Sequence, residues 1–137
     1  MHDVENRPWI LIITHGQFGK ELLNSCEMVL GKMENVYCFS LLVGMPPEQL
    51  IENVAAVMDS APAHSIILTD IYAGTPSNVA AVFAKKKQCP VICGLNLPML
   101  IEAEMSRAET GGDEWAKRII DAGNESIKNI TRIINER

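Results

Sequence analysis

The chain reads as an α/β protein, a three-layer sandwich with a mostly parallel four-stranded sheet and helices on both faces. Three observations predict this. Four short apolar runs recur along the chain; segments with helical spacing separate them; and glycines and polar residues gather directly after the runs. The length, 137 residues, suits one domain (residues 1–137). A chain of this size buries roughly 68% of its unfolded surface, enough for a core without disulfides or structural metal.

The runs are Trp9–Ile13, Asn35–Ser40, Ser65–Thr69 and Pro90–Cys93. The first and third are continuously apolar and rich in isoleucine, as strands buried on both faces of a parallel sheet require. After the first run, Phe18, Leu22, Leu23, Cys26, Val29 and Leu30 repeat on one helical face, and Gly31 marks its end. A second helix begins at Pro47 and carries Leu50, Ile51, Val54, Val57 and Met58 before the break at Pro62. A third begins at Thr75 and Pro76, with Thr75 as N-cap and proline as first helical residue. Val79, Val82 and Phe83 are expected to face inward, and Lys85, Lys86 and Lys87 suit the helix C-terminus. A fourth helix runs from Pro98 through Met99, Leu100, Ala103 and Met105. Beyond the Gly111–Gly112 break, one amphipathic helix is expected to carry Trp115, Ile119, Ile120, Ile127, Ile130 and Ile134. Right-handed crossovers place the helices on both faces of the sheet.

Composition excludes several classes. Lys and Arg number 12 against 17 Asp and Glu, a net charge of −5, which argues against nucleic-acid binding. No segment is long enough to span a bilayer and no signal peptide is visible, so a cytoplasmic location is expected. Cys26, Cys38, Cys89 and Cys93 form no C-x-x-C pair and read as reduced thiols, with no metal site. His2 and His64 are expected in exposed positions away from His15, which disfavours a three-histidine metal site. Nucleophile-elbow, dinucleotide and Walker A patterns are all missing after the runs.

In open α/β sheets ligands bind beyond the carboxyl ends of the strands. Those ends read Thr14 through Gly19, Asp70 through Asn78, and Gly94 through Pro98. His15 follows a buried strand and precedes Gly16; it is either a functional ring in the crevice or a histidine packed at a strand end. Asp70 occupies the equivalent place after the third run. From an adjacent strand end its carboxylate would hold one imidazole nitrogen and leave the other free as a nucleophile. Gly16, Gly19 and the Gly74–Thr75 turn would let backbone amides approach an anion at helix N-termini. Histidine, orienting carboxylate and anion cradle together suit a transient phosphohistidine. Tyr72 is read as a core or rim residue that could line the crevice.

Ile12 through Gly16, Leu22 through Leu30, Asp70 with Gly74 through Asn78, and Gly94 through Leu100 together resemble the enzyme IIA component of the mannose family of the bacterial sugar phosphotransferase system. The matching motifs extend from about residue 9 to residue 107 in the family's order and spacing. The resemblance implies a sheet of order 2-1-3-4 in a homodimer, without metal or organic cofactor. It implies that His15 accepts a phosphoryl group from the phosphorylated histidine-containing phosphocarrier protein. His15 would pass it to the enzyme IIB component, which serves the membrane sugar permease components. Asp70 would orient His15, and Thr14, Gly16, Gly74 and Thr75 would surround the phosphate. Ala73 stands where the family frequently has glycine, and Ser77 where it frequently has phenylalanine, pointing to an altered contact with partner proteins. With no IIB domain or Ala/Pro-rich linker in the sequence, a free-standing IIA is expected, and an acidic patch near His15 would favour basic partners. Two alternatives stay open: a phosphocarrier of a dihydroxyacetone kinase system, and a phosphorylation-controlled regulatory module.

Overall fold

The computed structural model describes residues 7–137. Four parallel strands form one sheet of order β2-β1-β3-β4, namely β1 (Ile10–His15), β2 (Val36–Leu41), β3 (Ile66–Thr69) and β4 (Val91–Ile92). The predicted fold class and strand order are both found. Between and after the strands come α1 (Phe18–Leu30), α2 (Pro47–Met58), α3 (Thr75–Lys87), α4 (Leu97–Ser106), α5 (Gly112–Glu125) and α6 (Ile130–Asn135).

The two-residue period of a strand divides the core. Ile10 and Ile12 face a layer made by Cys26 of α1, Met99, Leu100 and Ala103 of α4, and Trp115 and Ile119 of α5. Leu11 and Ile13 face the opposite layer, made by Leu50, Val54 and Met58 of α2 and Val79, Ala80 and Phe83 of α3. All four of these β1 residues are fully buried, each contributing about 1.5–3 kcal/mol relative to an exposed side chain. β1 is therefore the central plank of the molecule, paired on one side with β2 and on the other with β3.

Several sequence expectations need correction. Gly74, not Thr75, is the N-cap residue of α3, with extended backbone, and Thr75 is the first helical residue. Val82 is 45% exposed, and on α1 Phe18, Val29 and Leu30 are also exposed. α1 packs on the core through Gly19, Leu22, Leu23 and Cys26, and α3 through Pro76, Val79, Ala80 and Phe83. The last helix is two helices. Ser126 ends α5, its hydroxyl donating to the Gly123 carbonyl, and the Asn129 side chain accepts from the Arg132 amide to start α6. Ile127, Ile130 and Ile134 consequently lie on the surface.

At the amino end of the sheet Arg107, just past α4, is fully buried. Its guanidinium donates to the carbonyls of Pro8 (3.2 Å), Asn35 (3.2 Å) and Glu34 (2.9 Å), and also to the Glu104 carboxylate. It thereby ties the last turn of α4 to the chain entering β1 and β2. No described helix is long and apolar enough to cross a membrane.

Candidate functional site

The site lies at the opposite, carboxyl end of the sheet. His15 closes β1 on the sheet face of Leu11 and Ile13, where the strand's end leaves it exposed; Thr14, on the opposite face with Ile10 and Ile12, is buried against Gly19 of α1. Parallel pairing sets Ile13 of β1 beside Thr69 of β3, so Asp70 emerges next to the end of β1. The Asp70 Oδ2 accepts from the His15 backbone amide at 2.8 Å and lies 2.8 Å from the His15 Nδ1. Its Oδ1 accepts from the Ile71 amide at 2.9 Å. Burial opposes the carboxylate's charge, but the His15 amide, the His15 ring and the Ile71 amide outweigh it and hold Asp70 below its ordinary value.

That ionisation fixes the tautomer. A carboxylate can only accept hydrogen bonds, so Nδ1 carries the proton and donates it to Asp70. The ring's Nε2 keeps its lone pair and has no hydrogen-bond partner among the described residues. The His15 side chain is 48% exposed and that of Asp70 12%, so a partly buried anion aims an accessible ring.

Of the four residues expected around a phosphate, the structure brings one against the ring. A Cβ on Gly74 would come within 3.0 Å of the His15 Cε1 and 3.2 Å of the Ile71 side chain, so glycine here lets α3 begin directly beside the imidazole. Thr75 follows as the first residue of α3. The amides at Thr75 and Ser77 belong to the helix's first turn and have no intrahelical acceptor. Thr14 does not fit the expected role: it is fully buried, and its hydroxyl oxygen accepts from the Gly19 amide at 2.9 Å. Gly16 does not offer its amide either, since that N–H donates to the Leu41 carbonyl at 2.9 Å. Its φ of +53° serves the tight exit from β1 into α1.

From the sequence, Ser77 is expected to alter the contact with partner proteins. The structure places its hydroxyl within the site's framework, donating to the Ile71 carbonyl and sharing a 2.7 Å hydrogen bond with the Thr69 hydroxyl. Between them the chain passes through Ala73 at φ +63°, a left-handed conformation that costs an alanine roughly 1–2 kcal/mol.

Apolar side chains are exposed on the segments around the site, alongside polar Gln17, Lys20 and Asn78. Phe18, Leu42, Val43, Ile71 and Tyr72 are all exposed, Val43 entirely so. Beside His15 a hollow of about 440 Å³ is lined by Gly16, Leu41, Leu42, Val43, Gly44 and Met45. No acidic side chain lines this hollow. Tyr72, at 85% exposure, belongs to the rim. His64 is exposed at the far end of β3, and His2 lies outside the described residues. All four cysteines are free, Cys26 and Cys89 buried and Cys38 and Cys93 half-buried. Burial pushes the Cys26 and Cys38 thiols up to about 11. Among the described residues no cluster of three or more His, Cys, Asp or Glu side chains could hold a metal.

Fold and site together define an open, parallel α/β domain that presents a carboxylate-oriented histidine at its strand ends. Residues 9–120 match the EIIA-man family, described as the PTS system fructose IIA component. The chain is 34% identical over 123 residues to the PTS system mannose-specific EIIAB component of Escherichia coli strain K12, covering 87% of this chain and 38% of that one. It thus spans well under half the length of that relative. Its fold is similar to the crystal structure of phosphotransferase system component EIIA from Streptococcus agalactiae (TM-score 0.85, 29% identity, 90% of this chain and 98% of that one). It is similar also to the mannose/sorbose specific IIA subunit of the phosphotransferase system from Enterococcus faecalis (TM-score 0.83, 29% identity, 90% and 94% of the two chains). The chain belongs to the EIIA-man family of phosphotransferase-system IIA components.

Proposed function

We propose that the chain is a phosphoryl carrier in sugar uptake. His15 takes a phosphoryl group from the phosphorylated histidine-containing phosphocarrier protein and passes it to the enzyme IIB component of a mannose-, fructose- or sorbose-type transporter. The observation that carries this reading is the 2.8 Å contact of the His15 Nδ1 with an ionised Asp70, which leaves Nε2 free and accessible.

The Nε2 lone pair attacks phosphorus in the donor's phosphohistidine. A new P–N bond forms at His15 as the donor's P–N bond breaks, its electron pair returning to the donor ring. The His15 ring gains positive charge as Nε2 bonds, and the proton on Nδ1 stays in place against the Asp70 carboxylate, which offsets that charge. The arriving phosphoryl oxygens meet the amino end of α3, where Gly74 permits close approach and the Thr75 and Ser77 amides are free to donate. Exchange between two imidazoles is nearly balanced, so positioning and charge stabilisation are the protein's main tasks. The exposed apolar rim of Phe18, Leu42, Val43, Ile71 and Tyr72 suits docking of partner proteins that must bring their own reacting atoms to Nε2.

The test is transfer of radiolabelled phosphate from the phosphorylated carrier protein. The native chain is expected to take one group per chain and release it to a IIB partner, and His15→Ala to take none. Full labelling of the His15→Ala protein would overturn the assignment.

A further inference from the structure

The carboxylate that aims His15 stands on a short stretch of main chain held from both sides by one hydroxyl. Thr69, the last residue of β3, and Ile71 flank Asp70. The Ser77 Oγ donates its single proton to the Ile71 carbonyl. It must therefore accept at 2.7 Å from the Thr69 hydroxyl, itself fully buried. One side chain on the first turn of α3 thus grips the residue before Asp70 and the residue after it. The main chain of Asp70 is fixed on a further side, because its carbonyl accepts from the Gly94 amide at 2.9 Å.

The next four residues run from Ile71 to Gly74, pass through left-handed Ala73 and bring Gly74 against the His15 ring. Without Ser77's hydrogen bonds the Ile71 carbonyl loses its side-chain tether, and the turn stays bonded to α3 only at its far end, where the Asn78 amide donates to the Gly74 carbonyl at 2.9 Å. The Ile71 amide, which fixes the Asp70 Oδ1, would be free to swing with it.

We propose that Ser77 is a positioning residue: its hydroxyl clamps the main chain on both sides of Asp70 and so sets the direction and tautomer of the His15 imidazole. This rests on the phosphocarrier reading for its kinetic consequence, but its effect on the ring exists whether or not phosphate is transferred. The clamp acts through Asp70 and does not touch the reacting nitrogen.

The test compares Ser77→Ala, Ser77→Thr and Thr69→Val with the native chain by two readouts. Long-range proton–nitrogen correlation spectra of the unphosphorylated protein report the His15 tautomer, and labelling by the phosphorylated carrier reports the rate. Ser77→Ala is expected to turn a ring held as Nδ1–H into a mixture of tautomers. It is expected also to slow labelling by about three- to tenfold, the scale of one or two ordinary hydrogen bonds. Ser77→Thr, which keeps the hydroxyl, should restore both, and Thr69→Val should move both the same way by less. A Ser77→Ala protein with native ring spectra and native rate overturns the proposal, as does a Ser77→Thr protein as impaired as the alanine variant. Should Ser77→Ala fail to fold, an unchanged tautomer in Thr69→Val overturns it equally. A native chain that accepts no phosphate sinks the functional reading instead, and the ring spectra still decide the role of Ser77.

Discussion

The two ends of the sheet handle charge in opposite ways. At the amino end, Arg107 is fully buried and surrounded by acceptors: three backbone carbonyls and the Glu104 carboxylate. At the carboxyl end, Asp70 is satisfied by two amides and a ring proton, but the histidine it serves is 48% exposed in its side chain and has an unpartnered nitrogen. One end spends its charge on closing the structure. The other leaves the His15 Nε2 and the first amides of α3 without a protein partner, and a low-energy, fully paired site could not accept a new bond.

This contrast predicts separable effects of substitution. The largest belongs to the closed end. Arg107→Met leaves the carbonyls of Pro8 and Glu34 without this donor, the Asn35 carbonyl with the Ile10 amide alone and Glu104 with only a 3.8 Å ion pair to Arg7, and should reduce unfolding stability by about 3–5 kcal/mol in a denaturant titration. Where the variant remains folded, its His15 ring spectra should match the native ones. A shifted tautomer there would break the separation between the two ends.

Asp70→Asn should do the reverse. Loss of a charge-assisted hydrogen bond of about 1.5–3 kcal/mol slows phosphoryl acceptance by about 10- to 100-fold while the fold persists. It also alters the acid limb of stability. Because the folded carboxyl lies below its ordinary value, Asp70 stabilises the native chain fully above about pH 4 and loses that contribution as pH falls through the lower folded value. The stability gap between native and Asp70→Asn proteins should therefore narrow as pH drops through that range, measured by urea titrations at successive pH values.

The smallest effect is expected from Gly74→Ala. Its φ of −85° suits alanine, so the whole consequence comes from a methyl group 3.0 Å from the His15 Cε1 and 3.2 Å from Ile71. Stability should fall by only about 1 kcal/mol, with a few-fold loss of labelling rate. A native rate would show that the ring has room to give way.

Sequence legibility follows the same division. The strands, their layering and the pairing of His15 with Asp70 were legible because apolar period and strand-end position are direct consequences of parallel-sheet geometry. The fate of individual polar groups was not. Thr14 and His15 look alike as polar residues ending an apolar run, and only tertiary packing buries one under Gly19 of α1 and leaves the other exposed at the strand end. Gly16 offered a flexible turn to the eye, but its amide is taken by Leu41, a residue of a neighbouring strand that spacing alone does not specify. Arg107 carried no signal of burial, since its acceptors come from segments 72 to 99 residues away. The division of the final helix was hidden for a different reason: Ser126 and Asn129 end and begin helices with side-chain bonds, without the glycine or proline that marks a break in sequence.

The interior place of β1 also has a consequence in time. Its histidine is oriented by a carboxylate 55 residues further along the chain, and β3 must pair beside β1 before the two can meet. Local helices form in about a microsecond, whereas such long-range parallel pairing is slow. Before that pairing the first strand and its helix carry an imidazole that Asp70 does not yet orient. The orientation on which the proposed phosphoryl transfer relies is gained when the third strand pairs with the first.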